Sequence, residues 1–237
     1  NAWAANPVER DAPPVKWVGI ADIDRDGDND IVSTYPTARG QNLRWSRNPA
    51  IDVPDAFHVS NELWQRGSIG RLTPGADVFD LGDIDNDGII DVVVRSTVGR
   101  VIVWYKGPVN PTTAPVRNIP WQVFTLAEFN DRTPQAIALA DIDGDGQLEL
   151  TAAADGAILV LDPFTADGVY DQWEETLIID DRGTTDPAVT DPFVDPNEIS
   201  AQNTFINQLT VVDLDGDGAM DIIGTLDRRD QSGVTND

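Results

Sequence analysis

Short apolar runs recur along the chain in pairs, each pair separated by an acidic, glycine-bearing segment. The leading runs fall at 18–21, 78–81, 137–140 and 209–212. The trailing runs fall at 31–35, 92–96, 150–154 and 222–225. Three of the trailing runs are rich in β-branched residues, and the third is alanine-rich. Runs this short, with this composition, predict strands rather than helices. A third strand is predicted at 43–47 and 101–105, each with a tryptophan (Trp45, Trp104), and at 158–161. A fourth is predicted at 57–60, 121–125 and 173–179. Four short strands per unit, with little helix, is the pattern of a β-propeller blade.

The acidic segments share one template. Carboxylates stand at positions 1, 3, 5 and 9, with glycine at position 6. In loop 1 they are Asp22, Asp24, Asp26 and Asp30, in loop 2 Asp83, Asp85, Asp87 and Asp91. In loop 3 they are Asp141, Asp143, Asp145 and Glu149, and in loop 4 Asp213, Asp215, Asp217 and Asp221. Alternate residues of a tightly curled loop point inward together, and a backbone carbonyl at position 7 adds an oxygen ligand. That position is Asp28, Ile89, Gln147 and Ala219. Asp28 is expected to offer its carbonyl and keep its carboxylate free. Gly27, Gly88, Gly146 and Gly218 suit the sharp turn. Four carboxylates repel one another without a cation between them, and the oxygen-rich set points to Ca²⁺ rather than Mg²⁺, which keeps its waters. One Ca²⁺ per loop, up to four, is the expectation. The longer Glu149 puts the affinity of loop 3 in question.

An EF-hand needs a bidentate glutamate at position 12 followed by a helix. Position 12 here is Ser33, Val94, Ala152 and Gly224, and strands follow. Each loop therefore connects two neighbouring strands. An ordinary Asp-Gly hairpin turn is the competing reading of one copy; it does not account for four copies with the same carboxylate positions.

The first aspartates at 22, 83, 141 and 213 lie 61, 58 and 72 residues apart. A recurring period marks a repeat architecture. The units are read as 15–75, 76–133, 134–204 and an incomplete 205–237 within a single β-propeller region, 1–237. The chain resembles the FG-GAP/VCBS repeat family, integrin-alpha-like calcium-binding propeller repeats, in its loops and in the segments around Trp45 (44–49) and Trp104 (104–108). The resemblance covers about 15–227. It implies an all-β propeller of four-stranded blades, of which about three and a half to four are visible. The resemblance implies a ring of about seven blades, so the expectation is part of a larger ring, with a closed four-bladed ring as the second reading. Residues 1–14 are a candidate closing strand.

Net charge is −25, from 16 basic and 41 acidic residues. The loops hold 17 of the acids, so four Ca²⁺ ions neutralise only part of the excess. Nucleic acid is excluded as a partner, because phosphate binding needs clustered lysine and arginine. Cysteine is absent, which excludes disulfides, thiol catalysis and thiolate metal sites. No run of ~18 apolar residues exists, so no membrane insertion by a helix is expected. Millimolar Ca²⁺ outside cells fills sites of ~10⁻⁴–10⁻³ M, which points to an extracellular, cell-surface or periplasmic protein.

His58 is the only histidine, so a His-cluster zinc site is impossible and a strand histidine is the simpler reading. Glu62, Glu128, Glu174 and Glu175 carry no mark of a catalytic acid pair. No catalytic residue is assigned, and the protein is read as no enzyme. Trp17, Trp45, Trp104, Trp121 and Trp173 are expected to pack between blades, with Trp64 exposed beyond the fourth strand. The segment 180–198, with three Asp-Pro steps, is an extended acidic insertion; Phe193 and Val194 are its candidate anchor. Together these features predict an exported calcium-binding scaffold for a protein or glycan partner, or a subunit or fragment of a larger assembly. The alternatives are an accessory or catalytic propeller of a polysaccharide-active enzyme, and a purely structural module of a large surface protein.

Overall fold

The computed structural model describes residues 14–35, 43–49, 64–70, 76–109, 119, 121–130, 132–155, 157–163, 173–180 and 204–228. Every regular element among them is a strand. The first sheet runs in chain order through β1 (Trp17–Ala21), β2 (Asp30–Thr34), β3 (Leu43–Arg47) and β4 (Gln65–Gly70). The second holds β5 (Ala76–Gly82), β6 (Asp91–Ser96), β7 (Val101–Lys106) and β8 (Gln122–Glu128). The third holds β9 (Pro134–Ala140), β10 (Glu149–Ala154), β11 (Ala157–Pro163) and β12 (Trp173–Asp180), and the fourth β13 (Thr204–Val212) and β14 (Asp221–Arg228). Neighbouring strands are antiparallel throughout the pairs described. The all-β class and the four-stranded meander are therefore present. No strand of one sheet hydrogen-bonds to another sheet among the described residues.

Each acidic loop enters and leaves its hairpin at the same register. Ala21 pairs with Asp30, Gly82 with Asp91, Ala140 with Glu149 and Val212 with Asp221. The residue at position 9 thus opens the second strand of each pair. Such a connection exceeds the two-residue turns that close hairpins by backbone alone, so its own side chains must hold it.

The chain divides into two compact units, Asn1–Thr125 and Leu126–Asp237. In the first, Val32, Leu43, Trp45 and Ile69 of the first sheet join Phe79, Val92, Val94 and Tyr105 of the second in one core. Trp45 stands edge-on to Trp121, with centroids 6.2 Å apart. Two isoleucines at loop position 2, Ile23 and Ile84, are fully buried, and each such burial is worth ~1.5–3 kcal/mol. Tyr105 crosses beside Gly70, where an added Cβ would meet its ring at 2.2 Å. The second unit has a smaller-residue core, in which Ala136, Ala153, Ile158 and Ile206 pack with Leu209 and Ile222. A short polar chain ties it together. Asp155 accepts from the Thr133 amide at 2.7 Å and from Gln135 Nε2 at 3.2 Å, and Gln135 Oε1 accepts the Ile206 amide at 3.3 Å.

Three expectations change. The strand paired with β3 is Gln65–Gly70, whereas 57–60, with His58, lies outside the described residues. Gly67 sits opposite Trp45 in that pairing, and this segment of weak strand propensity gains its place by pairing with β3. Trp64 consequently precedes β4 and is half-buried rather than exposed. Trp17 retains 38% of its surface, while Trp45 and Trp104 retain 1% each. Residues 1–13 and 181–203, with the insertion's Phe193 and Val194, fall outside the described residues.

Candidate metal centre

The loops are shaped by carboxylates acting on their own backbone. At position 1, one oxygen accepts the amide of position 6: Gly27 at 3.0 Å, Gly88 at 2.8 Å, Gly146 at 3.1 Å and Gly218 at 3.1 Å. At position 5, one oxygen accepts the amide of position 7: Asp28 at 3.2 Å, Ile89 at 2.9 Å, Gln147 at 2.8 Å and Ala219 at 2.8 Å. The position-6 glycines have φ of 95°, 83°, 91° and 93°, a left-handed region that side chains occupy at a cost. Position 4 is left-handed as well: Arg25 (58°), Asn86 (52°), Gly144 (79°) and Gly216 (78°).

Position 4 divides the loops into two forms. With Arg25 or Asn86 there, the other oxygen of position 1 accepts the position-5 amide at 3.1 Å. With glycine there, that oxygen turns to the position-4 amide, at 2.9 Å for Gly144 and 2.7 Å for Gly216. Position 3 then takes the position-5 amide, at 3.0 Å in loop 3 and 3.1 Å in loop 4.

In every loop three carboxylates bring one oxygen each within 4.8 Å of one another. The groups are Asp22, Asp24 and Asp26; Asp83, Asp85 and Asp91; Asp141, Asp143 and Glu149; and Asp213, Asp215 and Asp221. Positions 1 and 3 belong to all four groups. Position 5 joins only in loop 1, where Asp30 is left out, and position 9 joins in the other three. Asp87, Asp145 and Asp217 lie outside the triplets. Of the position-7 residues Asp28, Ile89, Gln147 and Ala219, the described bonds show the amide, tied to position 5. The triplets can hold a metal ion. Their donors are all carboxylate oxygens, which suit a hard cation. Buried oxygens with no hydrogen-bond partner, among them Asp24 Oδ1 and Glu149 Oε1, are groups whose burial is costly unless something satisfies them.

Position 9 does a second job that sequence reasoning missed. Asp30 is fully buried. Its Oδ2 accepts the Trp45 indole N–H at 2.9 Å, and its Oδ1 accepts the Asn48 amide at 2.7 Å. Asp91 accepts the amides of Ile84 at 3.1 Å and Gly107 at 2.6 Å. Glu149 and Asp221 accept the position-2 amides of Ile142 at 2.6 Å and Leu214 at 2.9 Å. The carboxylate thus latches its loop, and in the first two sheets it also latches the end of the third strand. Gly107 has no room for a side chain, since a Cβ there would lie 2.5 Å from the Ile90 carbonyl. Burial raises both Asp30 and Asp91 to about 7, against the opposing pull of their amide donors. Burial raises Glu149 as well, opposed by the Ile142 amide and reinforced by Asp143, Asp162 and Asp145.

Two cations also enter the picture. Arg47 pairs with Asp24 and, at 3.4 Å, with Asp26. Lys106 pairs with Asp85 and, at 2.7 Å, with Asp87. The signal for both was the recurring order Trp, any residue, then Arg or Lys, at Trp45–Arg47 and Trp104–Lys106.

Residues 83–152 match the family model of the FG-GAP-like repeat. The match opens on the first carboxylate of loop 2 and runs through loop 3 into β10. No curated protein and no solved structure matches the chain.

Proposed function

From a chain that carries an FG-GAP-like repeat, we propose a calcium-loaded β-propeller segment that works outside the cell as a binding or assembly scaffold. The observation that carries the metal part is the convergence of three carboxylate oxygens within 4.8 Å in each of four loops. Ca²⁺ suits carboxylate-rich loops, whose coordination backbone carbonyl and water would complete. It neutralises carboxylates that otherwise push the hairpin open, so binding free energy becomes folding free energy. The propeller part rests on the repeated four-stranded meander and on the stacking of the first two sheets through a shared core. The scaffold part rests on the acidic composition and the repeat. A protein or glycan partner is proposed, in an extracellular, surface or periplasmic setting, without a catalytic role.

The test is Ca²⁺ binding by the full chain after chelation, followed by a glycan array and a polysaccharide turnover assay with the metal restored. Binding to loops and to a glycan, without turnover, supports the reading. Turnover would replace it with the enzyme alternative.

A further inference from the structure

A basic side chain stands among the carboxylates of the first two loops. Arg47 reaches positions 3 and 5 of loop 1, and Lys106 reaches the same positions of loop 2. They are equivalent by register. Ile31 pairs with Ser46 and Val92 with Tyr105, each one residue before the cation. In the third sheet Leu150 pairs with Leu161, so the equivalent residue is Asp162. A carboxylate occupies the place of the cation, and its charge acts on Glu149. The residue that pairs with Thr151 there is Val160, where the first two sheets carry Trp45 and Trp104. Among the described residues no indole donates to the position-9 acid. Glu149 is 3% exposed, its Oε2 accepts the Ile142 amide at 2.6 Å, and its Oε1 is buried with no hydrogen-bond partner. Among the described residues, no lysine or arginine pairs with a loop 3 carboxylate.

We propose that the loops fall into two classes: Arg47 and Lys106 are tethered counter-cations that help hold loops 1 and 2 in shape without metal, whereas loop 3, with Asp162 at that register position, has no such counter-cation and depends more on a bound divalent cation. The inference rests on the reading of these loops as cation sites. A side chain tethered at the site competes at high effective concentration. An ion entering loop 1 or 2 must displace the amine or guanidinium from at least one carboxylate. Among the described residues, loop 3 holds no such tethered cation for its incoming ion to displace. Loop 3 therefore fills first, although its glutamate departs from the aspartate template.

Hydrogen exchange read by mass spectrometry on the chelator-treated full chain tests this without any variant. Segments 22–30 and 83–91 are expected to be protected before Ca²⁺ is added. Segment 141–149 is expected to exchange freely and to slow at least about tenfold with Ca²⁺, a factor worth ~1.4 kcal/mol. Equal protection of all three without metal overturns the two-class scheme. Calorimetric Ca²⁺ titration adds a second arm. The double variant Arg47→Gln, Lys106→Gln should tighten loops 1 and 2 about tenfold, Arg47→Lys should leave loop 1 unchanged, and Asp162→Lys should weaken loop 3. Unchanged affinities in the first and last variants overturn the scheme. Ca²⁺ bound equally at all loops sinks only this inference, whereas no Ca²⁺ bound at any loop sinks the metal reading itself.

Discussion

In the first compact unit, Trp45 and Asp30 fasten loop 1 to the third strand, and Ile23 and Ile84 drive loops 1 and 2 into buried sites. In the second unit the same loop template borders a core of alanines with Leu150, Leu159 and Leu161. Ala136 and Ala153 stand in the core, Val160 takes the tryptophan's place, and Leu214 at loop position 2 keeps 70% of its surface. One carboxylate pattern thus rests on two foundations. In the first unit packing, indole and tethered cation share the task of holding the hairpin. In the second, no indole or cation joins the loop 3 carboxylates among the described residues, and the proposal above gives the added ion the larger share there. On that proposal a repeated ligand motif does not imply repeated dependence on the ligand.

The largest effect expected from breaking this comparison is at the indole. Trp45→Ala should cost ~3–5 kcal/mol, read as a lowered urea midpoint, because it removes a fully buried side chain and one donor to Asp30. Metal removal comes next and should fall on the other unit. At 100-fold saturation each site adds ~2.7 kcal/mol, so a chelator should lower the protection of 134–154 and 206–225 more than that of 30–34 and 91–96. Equal loss in both units would erase the distinction. Gly107→Ala should cost ~1–3 kcal/mol, since the new methyl meets the Ile90 carbonyl and lifts the amide from Asp91. A neutral outcome in thermal unfolding would show that the latch is not tight. The smallest effect is Asn86→Gly, which should stabilise by roughly 0.5 kcal/mol or less, because asparagine already tolerates left-handed backbone. It should also shift the Asp83 hydrogen bond toward the position-4 amide, as in loops 3 and 4. An unchanged amide pattern by NMR would mean that position 4 does not select the loop form.

Much of the fold was legible in the sequence. The apolar runs beside each loop mark β1, β2 and their counterparts, because short apolar runs of this kind suit strands, and β6 and β10 are buried at every position. The third strands followed from Trp45 and Trp104. β4 was not legible, since Gln65, Arg66, Gly67 and Ser68 have no strand signature and gain their place only by lying opposite β3. At the site, positions 1 and 3 were readable as members of every carboxylate group because the template repeats them. The latch at Asp30 and Asp91 was hidden, because its donors, the Asn48 and Gly107 amides, are backbone groups that leave no trace in residue type. The doubt about Glu149 came from side-chain length alone. The place of Asp162, at the position that Arg47 and Lys106 hold in the first two sheets, emerges only from strand register.

The central claim is that these loops are cation sites, and native mass spectrometry of the full chain in Ca²⁺, before and after chelation, tests it most directly. The account predicts a chelatable mass increase of four Ca²⁺, one for each of the four carboxylate groups, over a 25.8 kDa chain. A mass unchanged by Ca²⁺ and chelator would contradict it.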